Sequence, residues 1–222
     1  MAKAPDKSKA AKKPRKGATK KAAAEPSDRA LDAMMALAGQ LGWRDLTLTD
    51  IAGEAGLTLA ELRNIAGSKQ ALLGKFMQRI DQAVLAGAAA DDPAEPVKDR
   101  LFDVCMQRFD ALQPWREAIK AIARDIPVDP MAAICLGLQR RRSMIWMLEK
   151  AGVSSAGLKG RVRAAGLNAI MLSAIRVWLK DDSEDMSATM ARLDRDLARA
   201  DKLVQSLQGG KPFQRTEETA NS

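Results

Sequence analysis

Glu61 and Arg63 stand two positions apart in a short polar segment, and their chemistry is that of recognition rather than bond making. A guanidinium donates several hydrogen bonds and suits a phosphate. A carboxylate is repelled by a phosphate backbone unless it accepts from a cytosine amine, so Glu61 reads either as a base contact or as a repulsive group. The elements that hold these side chains lie in residues 46–73, LTLTDIAGEAGLTLAELRNIAGSKQALL. The segment predicts two short amphipathic helices on either side of a three-residue turn, a layout that binds DNA. Leu48, Ile51, Ala52 and Ala55 make one apolar stripe, with Asp50 and Glu54 on the wet side. Gly56 ends that helix as a left-handed residue, Leu57 supplies a buried turn contact, and Thr58 caps a second helix over 59–66. Gly67 and Ser68 then separate it from a further helix, capped by Ser68, with Leu72, Leu73, Phe76 and Ile80 inward.

Thr47, Ile51, Ala52, Ala55, Gly56, Thr58, Leu62, Ser68, Lys69 and Leu72 fall at the spacing of the N-terminal domain of the tetracycline-repressor (TetR) family, which this segment resembles. The resemblance implies a double-stranded DNA partner, read at a palindromic operator by a homodimer. It implies phosphate contacts for Thr47 and Lys69, and base-edge contacts for the residues from the turn into the second helix: Thr58, Leu59, Ala60, Glu61, Arg63 and Asn64. Two positions depart from the pattern. The family's phosphate-contacting Tyr and core Phe fall on Arg63 and Ala66, so a guanidinium stands in for a phenol and a smaller plug fills the core.

Charge is distributed unevenly along the 222 residues. Residues 1–26 hold nine basic side chains (Lys3, Lys7, Lys9, Lys12, Lys13, Arg15, Lys16, Lys20 and Lys21) against Asp6 and Glu25, and so carry seven of the net charge of +8. Residues 27–80 are balanced, six basic against six acidic. Because phosphate neutralisation supplies much of the affinity for DNA, any DNA binding draws heavily on the N-terminal stretch. That stretch is mainly Lys, Ala and Pro with no Val, Ile, Leu, Phe or Trp before Leu31, a composition that does not fold alone. It reads as a solvated arm serving solubility, general attraction to polyanions, or a DNA groove. It lacks the apolar segment of a signal peptide and the Arg-rich amphipathic character of a mitochondrial presequence. No stretch approaches the roughly 20 apolar residues of a membrane span, and a cytoplasmic location is expected.

The remaining chain predicts helices throughout, with no period-two segment long enough for a strand. A first helix is expected over 27–41, capped by Ser27 or Asp28, with Leu31, Met34, Met35, Ala38 and Leu41 inward; Gly42 stops it and Trp43 anchors the connection that follows. After a break at DDPAEP, Val97, Leu101, Val104, Cys105, Phe109 and Leu112 follow helical spacing, then Trp115, Ile119 and Ile122. Met131, Ile134, Cys135, Leu138, Ile145 and Leu148 mark a long helix closed by Gly152. Two more run over 158–179, with Val162, Leu167, Ile170, Met171, Ala174 and Val177 inward, and over 186–207. The acidic loop DDSED joins them, as suits an antiparallel hairpin; in the family such hairpins pair into a four-helix bundle across a two-fold axis. The fold class is therefore all-α: a disordered arm over 1–26, a three-helix helix-turn-helix domain over 27–75, an antiparallel helical ligand-binding and dimerisation domain over 76–207, and a disordered tail over 208–222.

Catalytic parts are missing: the chain has no His and no Tyr, no glycine-rich phosphate loop after a strand and no nucleophile elbow. Asp181 and Asp182 read as helix caps rather than an acid/base pair. Cys105 and Cys135 lie thirty apart without metal-ligand spacing and read as core thiols in a reducing compartment. No enzyme activity, metal or cofactor is expected. Met106, Trp115, Met144, Trp146, Met147, Met171 and Trp178 are adaptable apolar side chains that could line a ligand pocket, or simply fill the core. The run Arg140, Arg141, Arg142 spreads around a helix and reads as solvated.

A second resemblance opens an alternative. Gly42–Trp43, DRLFDVCMQRFDAL (99–112) and VWLKDDSEDMSATMARLDRDL (177–197) are similar to the ubiquinone-biosynthesis lipid-binding proteins, which share the TetR fold but do not bind DNA. That resemblance implies an isoprenoid lipid in the pocket and a membrane contact through the last helix.

Overall fold

The computed structural model describes residues 25–87 and 94–207; the expected tail lies outside them, as does the expected arm apart from Glu25 and Pro26. The described residues form nine α-helices and no strand: α1 (Pro26–Leu41), α2 (Leu48–Ala55), α3 (Leu59–Ile65), α4 (Lys69–Ala86), α5 (Val97–Leu112), α6 (Arg116–Asp125), α7 (Pro130–Lys150), α8 (Gly157–Trp178) and α9 (Ser187–Leu207). α1 packs against α2, α4 and α6; α4 runs on to pack against α5 and α7; α7 and α9 flank α8. One continuous apolar core links all of this, from Leu31, Ile51 and Leu62 through Phe76 and Phe109 to Trp178 and Leu197.

The first helix starts on a proline, not on a side-chain cap. Pro26 occupies the first turn, and Glu25 precedes it with no capping hydrogen bond. Proline's fixed φ and missing N–H suit that turn, so the cap expected at Ser27 or Asp28 is unnecessary. Leu31, Met34, Met35 and Ala38 are buried as expected, while Leu41, the last residue of α1, is 49 % exposed. α2 ends on Gly56 at φ 61° and ψ 42°, the left-handed conformation that disfavours a side chain.

α7 turns a different face to the core than apolar spacing predicts. Met131, Ile134 and Leu138 are each 60 % exposed, whereas Ala132, Gln139, Ser143, Met144, Met147 and Leu148 are buried. The rotation follows a buried polar contact: the Ser143 hydroxyl donates to Asp81 at 2.8 Å, and Asp81 is paired with the buried Arg108. An unpaired carboxylate in the interior is costly, so α4, α5 and α7 are fixed around this cluster. Val162 on α8 is likewise 65 % exposed rather than inward. Of the two thiols, Cys105 is fully buried, which pushes its pKa up to about 12 against the opposing pull of Arg108; Cys135 is half-buried.

Asp181, the first residue of the acidic loop, is buried and caps α9 from a distance. It accepts from the Thr189 N–H at 2.8 Å, the Thr189 hydroxyl at 2.7 Å and the Ser183 hydroxyl at 2.5 Å. Burial pushes its carboxyl up, but these donors outweigh it and hold the pKa at about 2. Asp182 is exposed and reaches Arg116 instead. No described helix is long and apolar enough to cross a membrane.

Candidate nucleic-acid interface and ligand cavity

α2 and α3 are held by two copies of one capping device. The Thr47 hydroxyl accepts from the Asp50 N–H at 3.2 Å while the Asp50 carboxylate accepts from the Thr47 N–H at 3.0 Å. Thr58 and Glu61 repeat the exchange at 3.2 and 2.7 Å. Both hydroxyls also donate to the paired carboxylate, at 2.6 Å from Thr47 and 2.8 Å from Thr58. Each carboxyl sits below its ordinary pKa: Asp50 chiefly through the Thr47 side chain, Glu61 chiefly through the Thr58 backbone N–H.

The capping boxes give Thr47, Thr58 and Glu61 local partners, and they orient α3. Leu62 is buried at 1 % exposure and anchors the helix, while Thr58, Leu59, Ala60, Glu61, Arg63 and Asn64 are all exposed. The Arg63 guanidinium folds back to donate to the Gly67 carbonyl at 3.4 Å, an exposed contact. Ala66, where a core aromatic would make a larger plug, is buried at 7 % exposure.

Lys69 is engaged inside the domain. Its ammonium donates to the carbonyls of Trp43 and Leu46 at 2.6 and 2.9 Å, with the Arg44 carbonyl at 3.4 Å, and it lies 4.9 Å from the centre of the Trp43 ring. The phosphate contact implied for Lys69 therefore competes with carbonyls that already take its donors. Trp43 is the knot of this region, fully buried. Its N–H donates to Asp125 at 2.9 Å and its indole N–H to Asp129 at 3.3 Å, so the connection before α2 is tied both to α4 and to the junction of α6 and α7. Sequence reasoning read Trp43 as a packing residue and missed Asp125 and Asp129, which sit more than eighty positions away.

An open apolar cleft of about 230 Å³ lies between α5, α8 and α9, walled by Val97, Leu101, Val153, Leu167, Ile170 and Val204. None of the seven Met and Trp residues expected to line a pocket reaches it. Met144 and Met171 instead border a small hollow of about 30 Å³ between α4, α5, α7 and α8. Met147 is buried in the core, and Trp178 packs on Phe109 with its N–H donating to Gln113. Trp115 meets Phe76 edge to face, Met106 is half-buried, and Trp146 is 54 % exposed. Periodicity identifies apolar helical faces but not where packing leaves a gap.

No protein-family model matches this sequence, and no curated protein matches it. Solved structures do. A TetR transcriptional regulator from Nitrosomonas europaea superposes with a TM-score of 0.64 at 23 % identity, over 80 % of this chain and 98 % of its own. The chain has the TetR fold. A TetR transcriptional regulator from Rhodococcus sp. RHA1 gives 0.59 at 18 % identity, over 78 % of this chain and 94 % of its own. A TetR-family regulator from Streptomyces coelicolor gives 0.56 at 14 %, over 82 % of each chain. That fold has an N-terminal helix-turn-helix domain followed by a helical C-terminal domain.

Proposed function

We propose that this chain is a TetR-like transcriptional regulator that binds a palindromic DNA operator as a homodimer and is released by a small ligand. The observation that carries the reading is the presentation of α3: one buried anchor, Leu62, and an exposed row of Thr58, Leu59, Ala60, Arg63 and Asn64, on an α-helix, whose diameter suits the width of a major groove. The TetR regulators that share the fold support it. Leu158 at the start of α8 is 77 % exposed, and pairing of the α8–α9 hairpin with that of a second copy would set two α3 helices against two half-sites. Light scattering tests the dimer: twice the chain mass of 24.0 kDa is expected, and a monomer at micromolar concentration contradicts two-fold operator binding. For the interface, Arg63→Ala should weaken binding to a selected site and to scrambled DNA alike by roughly 1.5 to 3 kcal/mol, the worth of a charged hydrogen bond. Unchanged affinity would remove Arg63 from the interface.

Two observations favour a second reading, a TetR-fold lipid-binding protein of ubiquinone biosynthesis that does not bind DNA. Lys69 spends its donors on its own backbone, and the cleft beside α9 is open and apolar. An isoprenoid lipid extracted with the purified protein, together with no DNA affinity, would select this reading.

A further inference from the structure

The small hollow between α4, α5, α7 and α8 has an apolar side and a cationic end. Met77, Met144, Met171, Leu172 and Ile175 form the former; Arg108, Arg140 and Asn168 form the latter. Arg108 is neutralised by Asp81. Arg140 is not. Its Nε is buried with no hydrogen-bond partner, and the Asn168 Oδ1 is buried and equally unpaired. Among the described residues no carboxylate pairs with Arg140; its pKa is pushed down first by burial and then by the neighbouring Arg176, a second cation. A half-buried guanidinium beside another positive charge, with no anion in reach, is an unfavourable arrangement that a bound anion would relieve.

We propose that this hollow is the head-group end of a binding site for a monocarboxylate with an apolar body. Arg140 offers the planar fork that takes a carboxylate on two donors. A half-turn of the Asn168 amide places its NH₂ where Oδ1 now sits. At about 30 Å³ the hollow holds only a group the size of one water, so the apolar body enters by displacing methionine side chains, which are unbranched and adaptable. The larger cleft lacks such an end: its Lys98 is held by Asp194 at 2.8 Å and its Arg163 by the Ser154 carbonyl at 2.9 Å. That the carboxylate acts as the releasing ligand rests on the regulator reading; that it binds does not.

Calorimetric titration and thermal melts of the full chain with octanoate and with octanol test this. Octanoate should bind saturably and raise the melting temperature, while octanol, with the same tail and no charge, should bind at least about tenfold more weakly, since the charge-assisted contacts are lost. Arg140→Met should abolish octanoate binding yet melt no lower without ligand, because the cation it removes has no partner. Asn168→Asp places a carboxylate beside Arg140 and should displace octanoate while raising the melting temperature. Equal binding of octanoate and octanol, or octanoate binding retained in Arg140→Met or in Asn168→Asp, overturns the proposal. Octanoate that binds without changing operator affinity leaves the site standing and removes its releasing role; a chain that binds octanoate but shows no DNA affinity even in its absence overturns the regulator reading alone.

Discussion

The Lys69 ammonium lies 2.6 Å from the Trp43 carbonyl oxygen and 4.9 Å from the centre of the Trp43 ring, so one side chain at the start of α4 closes the connection between α1 and α2. A hydrogen bond to a charged group contributes about 1.5 to 3 kcal/mol, and a cation over an indole adds to it. Lys69→Ala should therefore lower stability by roughly that amount, read as a drop in the denaturant midpoint without a change in slope. A variant as stable as the parent, with DNA affinity reduced, would return Lys69 to the phosphate role that the TetR resemblance implies.

Glu61 closes the capping box at the N-terminus of α3, and its carboxylate is held on the Thr58 N–H and hydroxyl. Glu61→Ala should destabilise the helix by removing one half of the capping box, and Glu61→Gln, which still accepts a hydrogen bond, by less. Removing the charge near the phosphates should strengthen binding to every sequence without altering base preference. A binding-site profile that relaxes at a single C·G pair in Glu61→Ala would instead make Glu61 a base-reading residue.

Residues with a local signature were legible in the sequence. Gly56, Thr58 and Ser68 cap or end helices where their types demand it, and all three do so in the structure, whereas sequence reasoning missed the capping box at Thr47. Ile51, Leu62, Leu72 and Phe76 are buried because their spacing leaves them no other face. What the sequence could not convey depends on distant partners. Met131, Ile134 and Leu138 make the more apolar stripe, yet Ala132, Gln139 and Ser143 face inward, where Ser143 donates to Asp81, sixty-two positions away. Arg140 likewise read as one of a solvated run; its half-buried, unpaired state follows from α8 packing over α7. The cleft between α5, α8 and α9 is a packing gap and has no residue signature at all.

Asp181 makes stability depend on acid. Its folded-state pKa of about 2 lies below the 3.8 of the free side chain, so its contribution is fully present above about pH 4 and is lost as pH falls through the folded value. The depression corresponds to roughly 2 kcal/mol. Asp181→Asn should lower stability at neutral pH and flatten the decline between about pH 4 and 2. If parent and variant lose stability in parallel across that window, the carboxylate of Asp181 is not what holds the loop to α9.

The Lys-rich stretch carries nearly all the net charge, so deleting residues 2–24 should weaken DNA binding and reduce its salt dependence while leaving the chosen sequence unchanged. With about four of its basic residues on phosphates, the slope of log K against log salt should fall by roughly 3 to 4 units. An unchanged slope would restrict this stretch to solubility.

The regulator reading stands or falls on DNA selectivity. The most direct measurement is selection of fragments from a genomic pool by the purified full-length chain, followed by sequencing of what is retained. Enrichment of a palindrome whose half-sites lie about one helical turn apart is expected, with Arg63→Ala losing the retained fraction. Retention of DNA without a shared sequence, or no retention by a chain that carries an isoprenoid lipid, would contradict it.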